Sequence, residues 1–203
     1  MEFKDGANIY TSDGRVAGSL DRVVIDPETK EVTHIVILKG LIFKEDRVIP
    51  VEYVASASQE KAILSCTFDE LKEMPSLEVE QFVPVSGDSA RVQNFDPLTG
   101  GMYWTERSVI RETRRTIPDE LVALKEGAQV MSEDDEHVGN VERVFTEPES
   151  GKVTHFIVSQ GFLLKTRKAI PIQWVKILED EKVRLSVGTQ QVEALPALGE
   201  GFS

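Results

Sequence analysis

Cysteine, histidine and basic residues are scarce in this chain of 203 residues. Cys66 is the single cysteine, so an intrachain disulfide is excluded, and we expect it to behave as a small core residue. The 23 basic residues face 35 acidic ones, which gives a net charge of -12 and a pI near 4.8. This balance argues against direct binding of nucleic acid, which depends on clustered Lys and Arg. It favours a protein partner that carries a basic surface.

Long apolar runs and targeting signals are missing as well. No run approaches the roughly 18–20 apolar residues that span a bilayer, and the opening MEFKDGANIY lacks the core of a signal peptide. We expect a cytoplasmic protein without a membrane span, while peripheral association with a membrane remains open.

Motifs that carry catalysis or bind cofactors do not occur in the sequence. There is no Walker-type loop, no Gly-x-Ser-x-Gly elbow, no Cys-x-x-Cys and no dinucleotide fingerprint. Ser132–Glu136 (SEDDE) has contiguous carboxylates, whereas a calcium loop alternates its ligands around a central Gly, so we expect a solvated hairpin. We predict a protein that is not an enzyme and that takes no cofactor or metal.

The feature that dominates the sequence is an internal repeat. Residues 6–66 align without a gap with residues 127–187 at a constant offset of 121, and about 20 of roughly 61 positions are identical. The densest match is VTHIVILKG from Val32 against VTHFIVSQG from Val153. Such a repeat indicates two copies of one small domain. Because a unit of about 60 residues is marginal alone, we expect the copies to support each other.

Both copies read as β-structure, with short runs rich in Val, Ile and Thr between turn residues. Gly18 and Gly139 fall inside long strand patterns, where a glycine typically marks a bulge or a sharp bend. The predicted strands of the first copy are Asn8–Tyr10, Arg15–Ile25, Glu31–Lys39, Phe43–Pro50 and Lys61–Cys66, with a short helical turn after Pro50. The predicted domains are barrel 1 (1–66), a linker (67–126), barrel 2 (127–187) and a tail (188–203).

The sequence of the linker predicts a short helix, a strand and a turn-rich segment. Thr67–Met74 is typical of a short helix that Pro75 stops, and Val79–Val85 could form a strand. The segment 86–108 is rich in turn residues, so we expect it to be only partly ordered. Its Tyr103 and Trp104 are too apolar for a solvated tether, so they either pack on a barrel or form a docking segment.

The ordered set of signals resembles the PRC-barrel family in both copies. The resemblance rests on the Gly-Ala openings, the Asp/Glu-Pro turns, Val-Thr-His, the glycine that follows, and Ile-Pro before a hydrophobic residue. It implies an all-β protein of two small tandem PRC-type β-barrels with short helical connections. The family occurs in the reaction-centre H subunit and at the end of ribosome maturation factors. This chain shows neither the membrane helix of the former nor the N-terminal domain of the latter, so neither role transfers directly.

Two kinds of residue remain as candidates for function. His34 and His155 are a repeated pair, either ligands or proton carriers, or half-buried imidazoles that are hydrogen-bonded within the barrel, and the second interpretation is favoured. The other candidates are apolar runs after the shared glycines, where a strand must place at least one residue outside the barrel. That residue either packs on the other barrel or the linker, which is the favoured interpretation, or meets a partner. Together with Tyr103 and Trp104, the apolar runs form the predicted interaction surface, namely Leu41, Ile42, Phe43, Phe162, Leu163 and Leu164.

The sequence therefore predicts an interaction or scaffold module. Two alternatives stay open. The protein could be a peripheral subunit of a photosynthetic or electron-transport membrane complex, or a ribosome-assembly factor that binds a basic ribosomal protein.

Overall fold

The computed structural model describes residues 1–4, 6–38, 46–84, 92–95, 98, 100–105, 109–161 and 166–198, and for 81–84, 92–95, 102–105 and 109–110 the backbone alone. These residues form strands with two short α-helices, so the predicted all-β class is confirmed. Neither helix that the described residues form has the length or the apolar content to cross a membrane.

The elements follow each other in three groups along the chain. The first group is β1 Glu2–Lys4, β2 Asn8–Tyr10, β3 Val16–Ile25, β4 Val32–Leu38, β5 Asp46–Pro50, β6 Val54–Ala57, β7 Lys61–Leu64 and α1 Phe68–Lys72. The second is β8 Glu78–Pro84, β9 Val92–Phe95, β10 Met102–Thr105 and β11 Val109–Arg115. The third is β12 Val122–Lys125, β13 Gln129–Met131, β14 His137–Thr146, β15 Val153–Gln160, β16 Thr166–Pro171, β17 Val175–Leu178, β18 Lys182–Leu185 and α2 Thr189–Glu193.

Each repeat curls one sheet around an apolar interior. The strand order is β5-β4-β3-β2-β7-β6 in the first repeat and β16-β15-β14-β13-β18-β17 in the second, with β2–β7 and β13–β18 parallel. Side chains alternate between the faces, so Ile35 and Ile37 of β4 point inward and are fully buried. The predicted helical turn after Pro50 is a 3-10 turn, Val51–Tyr53, and the second repeat matches it.

The two glycines inside the long strands stand at bulges, as predicted. Gly18 has a φ of 147° and Gly139 a φ of 141°, and the register slips beside each of them. A Cβ on Gly139 would lie 2.6 Å from the carbonyl oxygen of Ser159. Glycine is therefore required here for its backbone angle and for the close approach of β15.

The two barrels are completed by exchanged strands. The N-terminal β1 pairs with β14 of barrel 2, and β12, which precedes barrel 2, pairs with β3 of barrel 1. One continuous core cluster includes residues from both repeats, among them Phe3 on β1 and Leu124 on β12. The mutual support expected from the small size of each copy thus takes the form of shared strands.

A second, smaller cluster covers the outer face of barrel 1. Val24, Val36 and Val48 point away from the barrel interior on three adjacent strands. Leu77 and Ile117, which flank the connecting segment, pack over them together with Ala123 of β12.

Residues 78–116 form a separate compact unit. In this unit β8 pairs with β11 and β9 pairs with β10, both antiparallel. The predicted strand Val79–Val85 corresponds to β8, whereas β9, β10 and β11 were not predicted.

Candidate interaction surface

The repeated histidines lie at equivalent places on the outer faces of β4 and β15. Each is half-buried, and its Nδ1 lies 3.0 Å (His34) or 2.9 Å (His155) from the hydroxyl of the preceding threonine. His155 also stacks on Phe145, with ring centroids 4.5 Å apart. Burial lowers the pKa of both imidazoles, and a nearby carboxylate, Glu52 or Glu2, partly offsets this effect. The predicted half-buried, hydrogen-bonded state is confirmed.

The acidic turn at Ser132–Glu136 is hydrogen-bonded to the start of α2. Asp134 accepts hydrogen bonds from the backbone N–H of Thr189 at 3.1 Å and from its hydroxyl at 3.2 Å, at the start of α2. Its equivalent, Asp13, accepts from the N–H of Phe68 at the start of α1. A hydrogen bond from the Ser132 hydroxyl makes the largest contribution to a lowered pKa of Asp134. The shared carboxylate therefore ties each turn to the helix after the barrel.

The four acidic residues of this turn, Glu133–Glu136, are exposed, as predicted, and so is His137, whereas Ser132 is buried. Within the part of the chain that the structure describes, no group of three or more His, Cys, Asp or Glu side chains could hold a metal ion. Cys66 is buried in the core of both repeats, as its apolar counterpart Val187 suggested, and burial raises the pKa of its thiol.

Two exposed apolar side chains lie at one end of barrel 1. Val16 at the start of β3 is 59% exposed and Leu38 at the end of β4 is 45% exposed. Leu38 lies opposite Ser19, which follows Val16 on β3 by three residues. Val16 and Leu38 therefore stand at the same end of the sheet. Their neighbours Ala17 and Ile37 point inward and are buried.

The second repeat has polar residues at the matching places. The equivalents of Val16 and Leu38 are His137 and Ser159. The apolar end is therefore a property of barrel 1 alone, and it differs from the framework that the two copies share.

The structure describes only part of the predicted interaction surface. Leu41, Ile42 and Phe43, which follow Leu38 along the chain, lie outside the described residues, as do Phe162, Leu163 and Leu164. Tyr103 and Trp104 belong to β10, and their backbone pairs with Asn94 and Gln93, but their side chains are not among those described.

The seam between the two barrels carries buried charges that the sequence analysis did not identify. Arg143 of β14 lies 3.0 Å from the carboxylate of Glu2 on β1, and both side chains are almost fully buried. The Nε of Arg167 donates a hydrogen bond of 2.9 Å to the carboxylate of the neighbouring Glu142. In barrel 1 the counterpart of Glu2 is Ala123, and Arg22 pairs instead with Asp21 at 3.2 Å.

A small cavity lies within this seam. Its volume is about 20 Å³, enough for one water molecule. Residues from both repeats line it in equivalent pairs, namely Phe3 with Leu124, Leu20 with Val141, and Val23 with Val144. The cavity is too small for a ligand, so the seam is a packing interface.

Sequence reasoning missed the seam because its strands are very short. The only available signal was the match of Glu2-Phe3-Lys4 with Ala123-Leu124-Lys125, which continues the repeat upstream of Gly6 and Gly127. An apolar residue followed by lysine is too common to indicate a strand.

A comparison with protein-family models agrees with this architecture. The model described as PRC-barrel domain matches residues 5–71 and 126–188, which is more than half of the chain. No curated protein matched the chain. Domains of this kind commonly mediate protein interactions and are generally non-catalytic. The two matched segments correspond to the two curled sheets, and the chain belongs to the PRC-barrel family as a tandem of two copies.

Proposed function

We propose that the protein is a non-enzymatic scaffold in which barrel 1 docks a protein partner with a basic surface. The observation that carries this proposal is the pair of exposed apolar side chains, Val16 and Leu38, at one end of barrel 1, where barrel 2 has polar residues. Along the chain, the apolar run Leu41–Phe43 follows Leu38 after Lys39 and Gly40, and it belongs to the same proposed docking region. In this proposal the chain is cytoplasmic and works without a cofactor.

The assignment of roles follows the predicted domains. In this proposal barrel 1 (1–66) docks the partner and barrel 2 (127–187) supports it, while the linker (67–126) joins the barrels and the tail (188–203) follows the second. Phe162–Leu164 and the linker residues Tyr103 and Trp104 are further candidate contacts in this proposal.

Docking at this end gains affinity from burial and selectivity from charge. Burying a half-exposed aliphatic side chain contributes about 1–2 kcal/mol, or roughly tenfold in affinity for each residue. The net charge of -12 steers partners with basic faces and repels acidic ones.

The internal repeat supplies a matched set of variants. The double variant V16H/L38S gives barrel 1 the residues that barrel 2 carries at these places, His137 and Ser159. Ile177 is also 45% exposed, and its counterpart in the other repeat is Ser56, so I177S is a control of equal exposure and chemistry.

The test is crosslinked affinity purification of the tagged protein from its host, read by quantitative mass spectrometry. We expect the wild type and I177S to recover the same basic partner, and V16H/L38S to recover it at least about tenfold less. Equal recovery with V16H/L38S, or no enrichment above an empty tag, would contradict the proposal. Ribosomal partners would favour the assembly role, and subunits of a membrane complex would favour the peripheral role.

A further inference from the structure

The strand exchange between the barrels follows an internal two-fold relation. Phe3 of β1 lies opposite Val144, and Leu124 of β12 lies opposite Val23. Each residue in one pair stands 121 positions from its counterpart in the other, which is the offset of the sequence repeat. Each barrel therefore offers the same groove and donates the same kind of strand.

The axis of this relation passes between Glu31 and Lys152. These residues occupy the same position in the two repeats, and they pair with each other in an antiparallel bridge. Hydrogen bonds flank the bridge symmetrically, from Val32 N to Gly151 O at 3.1 Å and from Val153 N to Lys30 O at 2.8 Å. The two barrels thus meet through the same surface, as the subunits of a two-fold dimer do.

Charges at the seam distinguish unlike from like pairs of barrels. The Lys152 ammonium lies 3.9 Å from the Glu31 carboxylate across the axis. Two first barrels would place Glu31 against Glu31, and two second barrels would place Lys152 against Lys152. In a pair of second barrels, β12 of each chain would pair with β14 of the other, and Ala123 would take the place of Glu2. Arg143 would then lose the carboxylate that lies 3.0 Å from it.

We propose that a second copy of this chain is a partner for the seam, with barrel 1 of one chain paired to barrel 2 of the other and β1 and β12 exchanged between chains. The contacts between the barrels are the same whether the two barrels belong to one chain or to two, and in the exchanged form β8 of one chain pairs with β11 of the other, with Glu78 opposite Arg115. The chain between α1 and β12 sets the balance, because it holds the two barrels at an effective concentration on the order of millimolar. Chains that fold together at high concentration therefore close onto each other.

Disulfide capture on the axis tests this proposal in the full chain. Directly opposed residues in an antiparallel pair have Cα atoms about 4.5–5.5 Å apart, which suits a disulfide. One chain carries E31C and the other, distinguished by a size tag, carries K152C, both with C66V to match Val187. The two are unfolded together in urea, refolded at about 10 μM to about 1 mM, and oxidised. The double variant E31C/K152C in one chain checks that the geometry permits closure.

We expect the E31C–K152C crosslink between chains to rise at least about tenfold over this concentration range. K152C alone should give several-fold less, because it reports pairs of second barrels, in which Arg143 loses the Glu2 carboxylate. Closure of the single-chain double variant without a crosslink between chains, or equal yields from like and unlike pairs, would overturn the proposal. Light scattering on the unmodified chain refolded at the same concentrations gives an independent result, in which monomer alone at about 1 mM would also overturn it.

Discussion

Replacing Phe3 with alanine tests whether β1 is an integral strand of barrel 2. Phe3 is 2% exposed, lies opposite Val144, and belongs to the core cluster that both repeats share. Truncating a buried phenylalanine costs about 3–5 kcal/mol, whereas a change in a fraying terminal segment stays within about 0.5 kcal/mol. Since small proteins are stable by about 5–15 kcal/mol, F3A should remove a large part of the free energy of unfolding.

The assay has two parts, because the size and the place of the effect are both predicted. Urea unfolding gives the loss of stability, with V16A as a control at a 59% exposed position of barrel 1. Hydrogen exchange then locates the loss. F3A should increase exchange in β14 and β15 of barrel 2, and L124A should increase it in β3 and β4 of barrel 1, since each strand serves the other repeat.

Two results would refute this reasoning. A loss below about 1 kcal/mol for F3A would mean that β1 adds little to the fold. An increase in exchange confined to barrel 1 would mean that β1 supports its own repeat and that the exchange of strands does not carry the stability.

Three further changes have defined outcomes. E2Q removes the carboxylate from Arg143 while Glu142 remains 3.4 Å away, so we expect a loss of about 1–3 kcal/mol in urea unfolding, and an unchanged midpoint would contradict the ion pair. Because burial lowers the pKa of His155 from 6.5, the unfolded chain binds the proton first as the pH falls, so the free energy of unfolding should decrease from pH 7 towards pH 5. H155N should reduce this pH dependence, measured by chemical denaturation at each pH. G139A forces a Cβ to within 2.6 Å of a carbonyl oxygen at a φ of 141°, and it should cost at least about 3 kcal/mol or prevent folding, whereas a loss below about 1 kcal/mol would show that β15 can move away.

Apart from β6, the strands inside the repeats were predictable because local signals agree with the tertiary structure there. β3 and β4 are rich in β-branched residues, a turn residue or glycine ends each run, and the second copy repeats the pattern at the same positions. The glycine bulges and the helix that begins after Thr67 follow from the same local chemistry, since Thr67 and Glu70 form a reciprocal cap.

The strands outside the repeats were not predictable in the same way. β1 and β12 span three and four residues, and their partners are fixed by contacts across the whole chain. β11 reads VIRETRR, in which charged residues hide the alternation of a strand that pairs with β8. Local propensity is too weak to identify strands that are stabilised by distant partners.

The candidate site likewise contains features that local sequence predicts and features that depend on distant contacts. The half-buried histidines were predictable because their partners, Thr33 and Thr154, directly precede them in the chain. The exposure of the acidic turn follows from its contiguous carboxylates, whereas the hydrogen bond from Thr189 to Asp134 joins residues 55 positions apart and was not predicted. The apolar end at Val16 and Leu38 depends on which strand ends meet, so it required the sheet register.

Differences between the copies have two distinct consequences. Residues that differ at the barrel ends, such as Leu38 against Ser159, change the exposed surface and leave the core alone. Residues that differ at the seam, such as Glu31 against Lys152, instead make the contact between barrels favour unlike pairs. A repeat of about 60 residues is marginal in isolation, and each barrel here takes a core residue from the strand that precedes the other. Once the seam fixes the two barrels together, their ends are free to diverge, because neither end is needed to hold the fold.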